Sequence, residues 1–190
     1  MSTTIESKEI ERYTIAVSHD DDCESPREWG NIGRLLADVR GGAMGDGSLR
    51  AFLQSSDYDG DECNINEICA YLNQSGYAVP VSMTDHSGRE VYRGSPGDAW
   101  DAGYIGVYYV ENRDGMTDGE LNTLIDSELD LYTDWLNGEC YGYTVTKTTE
   151  INGWVKTEEI DSRCGFIGYD ECVQSARCAV PSGAEVEVID

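Results

Sequence analysis

Residues 104–110 read Tyr-Ile-Gly-Val-Tyr-Tyr-Val, a run with no charge and a single glycine. β-branched and aromatic residues at this density favour an extended strand. A strand so apolar belongs near the centre of a sheet, and the rest of the chain must supply its neighbours and its cover. The cover is legible shortly after it. Thr117-Asp118-Gly119-Glu120 is a capping box, in which the Thr117 hydroxyl accepts from the amide three residues on and Glu120 reaches back. From there Leu121, Leu124, Ile125, Leu129, Tyr132, Trp135 and Leu136 recur on one helical face. Asn122, Asp126, Glu128, Asp130 and Asp134 fall on the outer face, and Asn137-Gly138 ends the helix.

Around this pair the chain alternates short strands and turns. Residues 13–17 and 77–83 read as strands, and residues 140–149 and 154–160 as a hairpin about Asn152-Gly153. Residues 48–54, 64–74 and 169–178 read as short helices. Residues 40–47 are glycine-rich and read as a flexible connection; the Lys-Ser/Thr ending of a phosphate loop is missing. No repeated strand–helix–strand unit is visible. The expectation is an α+β fold: a mainly antiparallel sheet with one long amphipathic helix packed on a face and two or three shorter helices. A single domain over residues 12–180 would carry flexible tails at 1–11 and 181–190.

Charge narrows the partners. The chain has 37 acids against 13 bases, a net charge of −24. Such a field repels nucleic acid and membranes and attracts basic surfaces. Between Arg113 and Lys147 no base occurs at all. Two causes fit: a carboxylate-rich surface that keeps a salt-adapted protein hydrated, or DNA-like charge offered to a nucleic-acid-binding protein. No apolar run approaches the roughly 20 residues of a membrane span. Residues 1–11 lack the basic flank and apolar centre of a secretory signal, so a cytoplasmic location is expected. The seven cysteines form no C-x-x-C pair, so they are expected to be mostly buried thiols rather than zinc ligands. A Cys164–Cys178 or Cys172–Cys178 bridge remains open. No cofactor is expected.

The polar residues offer one candidate constellation. His19, Asp20 and Asp22 follow the first strand, and Asp85 and His86 occupy the turn Asp-His-Ser-Gly after a later one. Trp100 and Asp101 precede the central strand. Strand ends carry function, so if the chain has a site, His19 and His86 should lie near each other with Asp20, Asp22, Asp85 and Asp101 around them. A cation or general acid/base chemistry would then be available. The competing reading of each segment is a solvated acidic loop or a turn whose Asp and Ser bond local amides. Asp57-Tyr58-Asp59-Gly60-Asp61 begins like a calcium loop, but Glu62 and Ile68 stand where its glycine and bidentate glutamate belong.

Several segments together are familiar: Glu24-Ser25-Pro26-Arg27-Glu28-Trp29, Asp85-His86-Ser87-Gly88, residues 100–106, residues 138–143 and Cys164-Gly165-Phe166-Ile167-Gly168. In this order they resemble a family of small uncharacterised proteins carried by bacteriophages and related mobile elements, over roughly residues 13–179. The chain departs from that pattern in its acidity and in residues 34–53. The resemblance implies a protein of a virus or mobile element and carries no activity with it. Together with the absence of a recognisable catalytic motif and the base-free stretch from Asp114 to Thr146, it leads to the expectation of a soluble, non-enzymatic accessory protein acting by binding a host protein. Such a partner could itself bind nucleic acid, making this chain a DNA mimic or anti-defence inhibitor, with Asp126, Asp130 and Asp134 as the partner face. The alternatives are a metal-dependent enzyme using the His19 loop with Asp85 and His86, and a salt-adapted protein whose acidity serves solubility only.

Overall fold

The computed structural model describes residues 9–97 and 100–190. Its strands are β1 (Glu9–His19), β2 (Arg34–Val39), β3 (Gly42–Gly45), β4 (Tyr77–Asp85), β5 (Arg89–Arg93), β6 (Ala102–Val110), β7 (Cys140–Ile151), β8 (Trp154–Ile167) and β9 (Val186–Ile189). Its helices are α1 (Leu49–Gln54), α2 (Ile65–Leu72), α3 (Asp118–Leu136) and α4 (Tyr169–Arg177). The fold is α+β with mostly antiparallel pairing. Where sequence suggested one domain, the chain divides into two compact units, residues 25–137 and residues 1–24 with 138–190.

In the first of these units β6 takes the middle of a five-stranded antiparallel sheet, order β3-β2-β6-β4-β5. Its apolar density suits that position, because both faces are covered. The register shifts between Val81, opposite Gly106, and Ser82, opposite Tyr104, so Ile105 is an extra residue. That bulge reverses the alternation. Ile105, Tyr108 and Val110 therefore join one core layer, and Val107 and Tyr109 the other. On the first face α3 buries Leu121, Ile125, Leu129 and Tyr132 against Leu35, Val81, Val91 and Tyr108. On the second, α1 and α2 bury Leu49, Leu53, Ile65, Ile68 and Leu72 against Leu36, Val107 and Tyr109. Each such side chain contributes about 1.5–3 kcal/mol by leaving water. At Gly106 the neighbouring strand approaches so closely that a Cβ would sit 2.0 Å from the Leu36 carbonyl oxygen.

The start of α3 is as the sequence indicates: Thr117 Oγ1 accepts from the Glu120 amide at 3.3 Å, and Glu120 accepts from the Thr117 amide at 2.8 Å. At its end Asn137 bonds both backbone groups of Arg89, at 2.7 and 2.9 Å, and so pins β5. Three residues of the expected apolar face differ. Leu124 is 40% exposed, and Trp135 and Leu136 are only half-buried. The stripe that meets the sheet runs through residues 121, 125, 129 and 132, and Leu124 falls at its edge.

The other unit is a four-stranded sheet, order β8-β7-β1-β9. β1 runs antiparallel to β7 from Glu9 opposite Ile151 to His19 opposite Tyr141, and β9 lies parallel to β1. α4 covers one face, with Ile15, Val17, Tyr143, Val145, Cys172 and Ala176 in the core. Both expected tails contribute: residues 9–11 begin β1 and residues 186–189 form β9. Residues 1–8 lie outside the described residues. The connection at 40–47 likewise holds a strand, β3, whose glycines adopt positive φ at Gly42 and Gly45.

Candidate functional site

The Asp85–Gly88 turn closes the β4–β5 hairpin. Ser87 and Gly88 take positive φ there, the His86 amide donates to the Gly88 carbonyl at 3.1 Å and the Ser87 hydroxyl donates to the His86 carbonyl at 2.7 Å. Asp85 pairs loosely with Arg89 at 3.9 Å. The end of β6 lies beside this turn, because β4 and β6 are paired. His86 Nδ1 is thus 3.7 Å from Asp101 Oδ2, and the His86 ring meets Trp100 edge-on at 6.0 Å. Trp100 is 88% exposed and His86 is open to solvent. Asp85, His86, Trp100 and Asp101 gather at one end of the sheet, with His86 and Trp100 open to solvent and the Asp101 side chain largely buried.

His19, Asp20 and Asp22 belong to the other unit. Asp20 accepts from backbone on both sides: Oδ2 from the Gly165 amide of β8 at 2.8 Å and Oδ1 from the Asp22 amide of its own loop at 3.2 Å. His19 turns to Tyr141, with ring centroids 4.8 Å apart. Among the described residues no group of three or more His, Cys, Asp and Glu side chains could hold a metal ion. All seven cysteines are thiols, and Cys69, Cys140 and Cys172 are buried. Burial, aided by a bond to the Cys23 thiol, pushes Cys140 up to about 12.

The outer face of α3 is less open than its sequence suggests. Asn122 accepts from the Tyr77 hydroxyl at 2.8 Å. Asp126 accepts both Nε and Nη2 of Arg93 at 2.8 Å, and Glu128 turns inward. Asp130 and Asp134 remain exposed.

Glu128 enters a polar cluster that sequence reasoning missed. Ser25 caps a short 3-10 turn (Pro26–Glu28), and the turn delivers the Arg27 side chain into the interior, only 3% exposed. All five of its N–H donors are engaged. Nε and Nη2 grip Asp46 at 3.2 and 2.5 Å, Nη1 reaches Glu128 at 3.1 Å and Asn31 Oδ1 at 3.2 Å, and Nη2 also meets the Gly33 carbonyl at 3.0 Å. The Tyr108 hydroxyl donates to Glu128, and the guanidinium lies over the Tyr108 ring at 5.2 Å. Burial is the largest single influence and opposes the Arg27 charge, but Asp46 and Tyr108 together outweigh it, so the guanidinium is held above its ordinary value. Burial first, and the Glu128 bond second, push the Tyr108 phenol up. The guanidinium is buried and all its donors are satisfied, which marks the cluster as a brace for the 25–33 loop.

A further exposed feature is the tip of the β7–β8 hairpin. Ile151 stands opposite Trp154 across the turn, and Trp154 is 83% and Val155 65% exposed. β8 is an edge strand over its fourteen residues. No helix is long and apolar enough to cross a membrane among the described residues. No family model matches this chain, and no curated protein or solved structure is similar to it.

Proposed function

We propose that this chain is a non-enzymatic accessory protein of a virus or mobile element that works by binding a host protein. The observation that carries the reading is the hairpin tip: Ile151 at the end of β7, and Trp154 and Val155 at the start of the edge strand β8, stand open to solvent. An exposed Trp flanked by apolar neighbours is the kind of anchor that dominates protein interfaces. The free edge of β8 offers backbone groups to which a partner strand can add. Lys156, Glu158, Glu159, Asp161 and Arg163 along the same strand discourage indiscriminate edge pairing, leaving the tip as the selective contact.

The acidic face of α3 is the second element of the proposal. With Asp126 held by Arg93 and Glu128 turned inward, the exposed carboxylate of Asp130 is the part of this face offered to a basic or nucleic-acid-binding partner. Steering by such charges is screened over about 8–10 Å at physiological ionic strength and over about 3 Å in molar salt. In a salt-adapted host the apolar tip would therefore carry the contact.

The test is capture from host lysate across a salt series, comparing the native chain with Trp154→Ala/Val155→Ser and with Asp126→Asn/Asp130→Asn/Asp134→Asn. The expected result is a partner retained at high salt by the native chain, lost in the tip variant, and weakened by the helix variant only at low salt. A partner held equally by the tip variant would refute the assignment of the contact.

A further inference from the structure

One face of the β8-β7-β1-β9 sheet continues past the first turn of α4. By the alternation of strands, Val17 and His19 of β1 share the face with Tyr141 and Tyr143 of β7. On β9, Val186 and Val188 belong to that layer, and Asp190 continues their row. α4 covers the inner part of the face with Cys172 and Ala176. Beyond it the outermost residues line a cavity of about 360 Å³, walled by Val17, Ser18, His19, Tyr141, Tyr169 and Asp190.

The walls are three rings and a carboxylate. His19 lies against Tyr141 at 4.8 Å, and Tyr141 meets Tyr169 nearly perpendicular at 5.5 Å. Both phenols point their protons at acids: Tyr141 donates to Glu139 Oε2 at 2.6 Å, and Tyr169 to Asp190 Oδ1 at 2.7 Å. Those bonds fix the rings and leave negative charge at the rim. The Tyr141 phenol is pushed up to about 12 by the Glu139 bond first and burial second, so it stays a neutral donor. Among the described residues no Lys or Arg lines the cavity.

Rings present a negative face, and a cluster of them beside carboxylates suits an organic cation whose methyl groups fill apolar space. A bare metal ion would need a set of close oxygen, nitrogen or sulfur ligands, which this cavity does not provide. An anion would meet Asp190 and Glu139. We infer that the His19–Tyr141–Tyr169 cavity binds a substituted ammonium group, quaternary or alkylated, with Asp190 and Glu139 supplying the counter-charge. The group can come from a free small molecule or from a methylated lysine side chain.

The test uses choline as probe against 3,3-dimethylbutan-1-ol, its neutral isostere, followed by proton resonances of the intact chain. Choline should saturate and shift the His19, Tyr141 and Tyr169 rings, binding about tenfold more tightly than the isostere. Tyr141→Leu should weaken choline by about tenfold, while Tyr169→Phe, which keeps its ring, should retain most binding. A trimethyllysine peptide that binds more tightly than choline, with its unmodified lysine counterpart weaker, would assign the source to a protein side chain; choline binding the tighter would assign it to a small molecule. Equal binding of choline and its isostere, or no saturable shift of these rings below about 100 mM, overturns the inference. Should Tyr141→Leu fail to fold, the isostere comparison on the native chain decides alone.

Discussion

Replacing Arg27 by Met tests whether the buried cluster is what fastens the 25–33 loop to α3 and β3. The substitution keeps apolar length and deletes the charge. It removes two bonds to Asp46, one to Glu128, one to Asn31 and one to the Gly33 carbonyl. Two carboxylates then face the interior without their cation. Breaking a buried pair by removing one partner costs about 3–5 kcal/mol. Here the carboxylates are 17% and 19% exposed. Each also retains a backbone donor, Leu35 N at 2.6 Å for Asp46 and Ile32 N at 2.9 Å for Glu128. The loss should therefore lie near the lower end, about 3 kcal/mol. Amide exchange in residues 107–110 at neutral pH should accelerate by on the order of a hundredfold, since each 1.4 kcal/mol is a factor of about ten. Arg27→Lys should recover only part of this, because one ammonium cannot serve both carboxylates in a fork. Adding Glu128→Gln to Arg27→Met should cost less than the two changes do separately, since the second then removes an unpaired charge. A loss under about 1 kcal/mol for Arg27→Met, or strict additivity, would refute the brace.

Thr117→Ala should lower stability by about 1 kcal/mol in a denaturant titration, because the amide of Glu120 loses its acceptor. Gly106→Ala should destabilise by about 3 kcal/mol or more, since the atom it would strike is the Leu36 carbonyl oxygen of β2 rather than a movable side chain; an unchanged melting point would contradict the close approach. Burial pushes Cys69 up to about 11 and Cys140 up to about 12, so the folded chain holds those protons more tightly than the unfolded one. The stability they contribute is complete at neutral pH and is lost as pH climbs from about 9 through the folded values, so the denaturation midpoint should fall over that range. Iodoacetamide at mildly alkaline pH should modify Cys63, Cys164 and Cys178 before Cys69, Cys140 and Cys172.

The elements legible in the sequence are those whose signal is local. β6 and the start of α3 follow from residues within one short window, an apolar run and a capping box. β3 did not, because glycine-rich sequence resembles a linker until a partner strand satisfies its backbone; only three residues of β2 pair with it. β9 carried a signal that was passed over: Val186, Glu187, Val188 alternate as a strand should. The Arg27 cluster was illegible for a different reason. Its acids lie 19 and 101 residues away, one in the glycine-rich stretch and one on a helix face read as outward. A Ser-Pro step announces the capped turn but says nothing of what the next side chain will meet. For the polar constellation, sequence places residues at strand ends without saying which sheet a strand joins. Asp85, His86, Trp100 and Asp101 meet through β4 and β6, whereas His19 sits on a strand of the other sheet.

The division of the chain also sets an order of events during synthesis. Residues 25–137 are contiguous, so their five strands and α3 can be complete while the ribosome is still translating. β1 emerges first yet pairs with residues 141–151, which emerge after that whole segment. Until then β1 is an extended strand with both edges open, the kind of species that aggregates or recruits a chaperone. Contacts of such long sequence separation form slowly. A chain stopped at residue 137 should therefore fold its 25–137 segment while residues 9–19 stay sensitive to protease. Extending it through residue 167 should protect them only partly, and extending it through residue 190, where β9 closes the second edge of β1, should protect them fully.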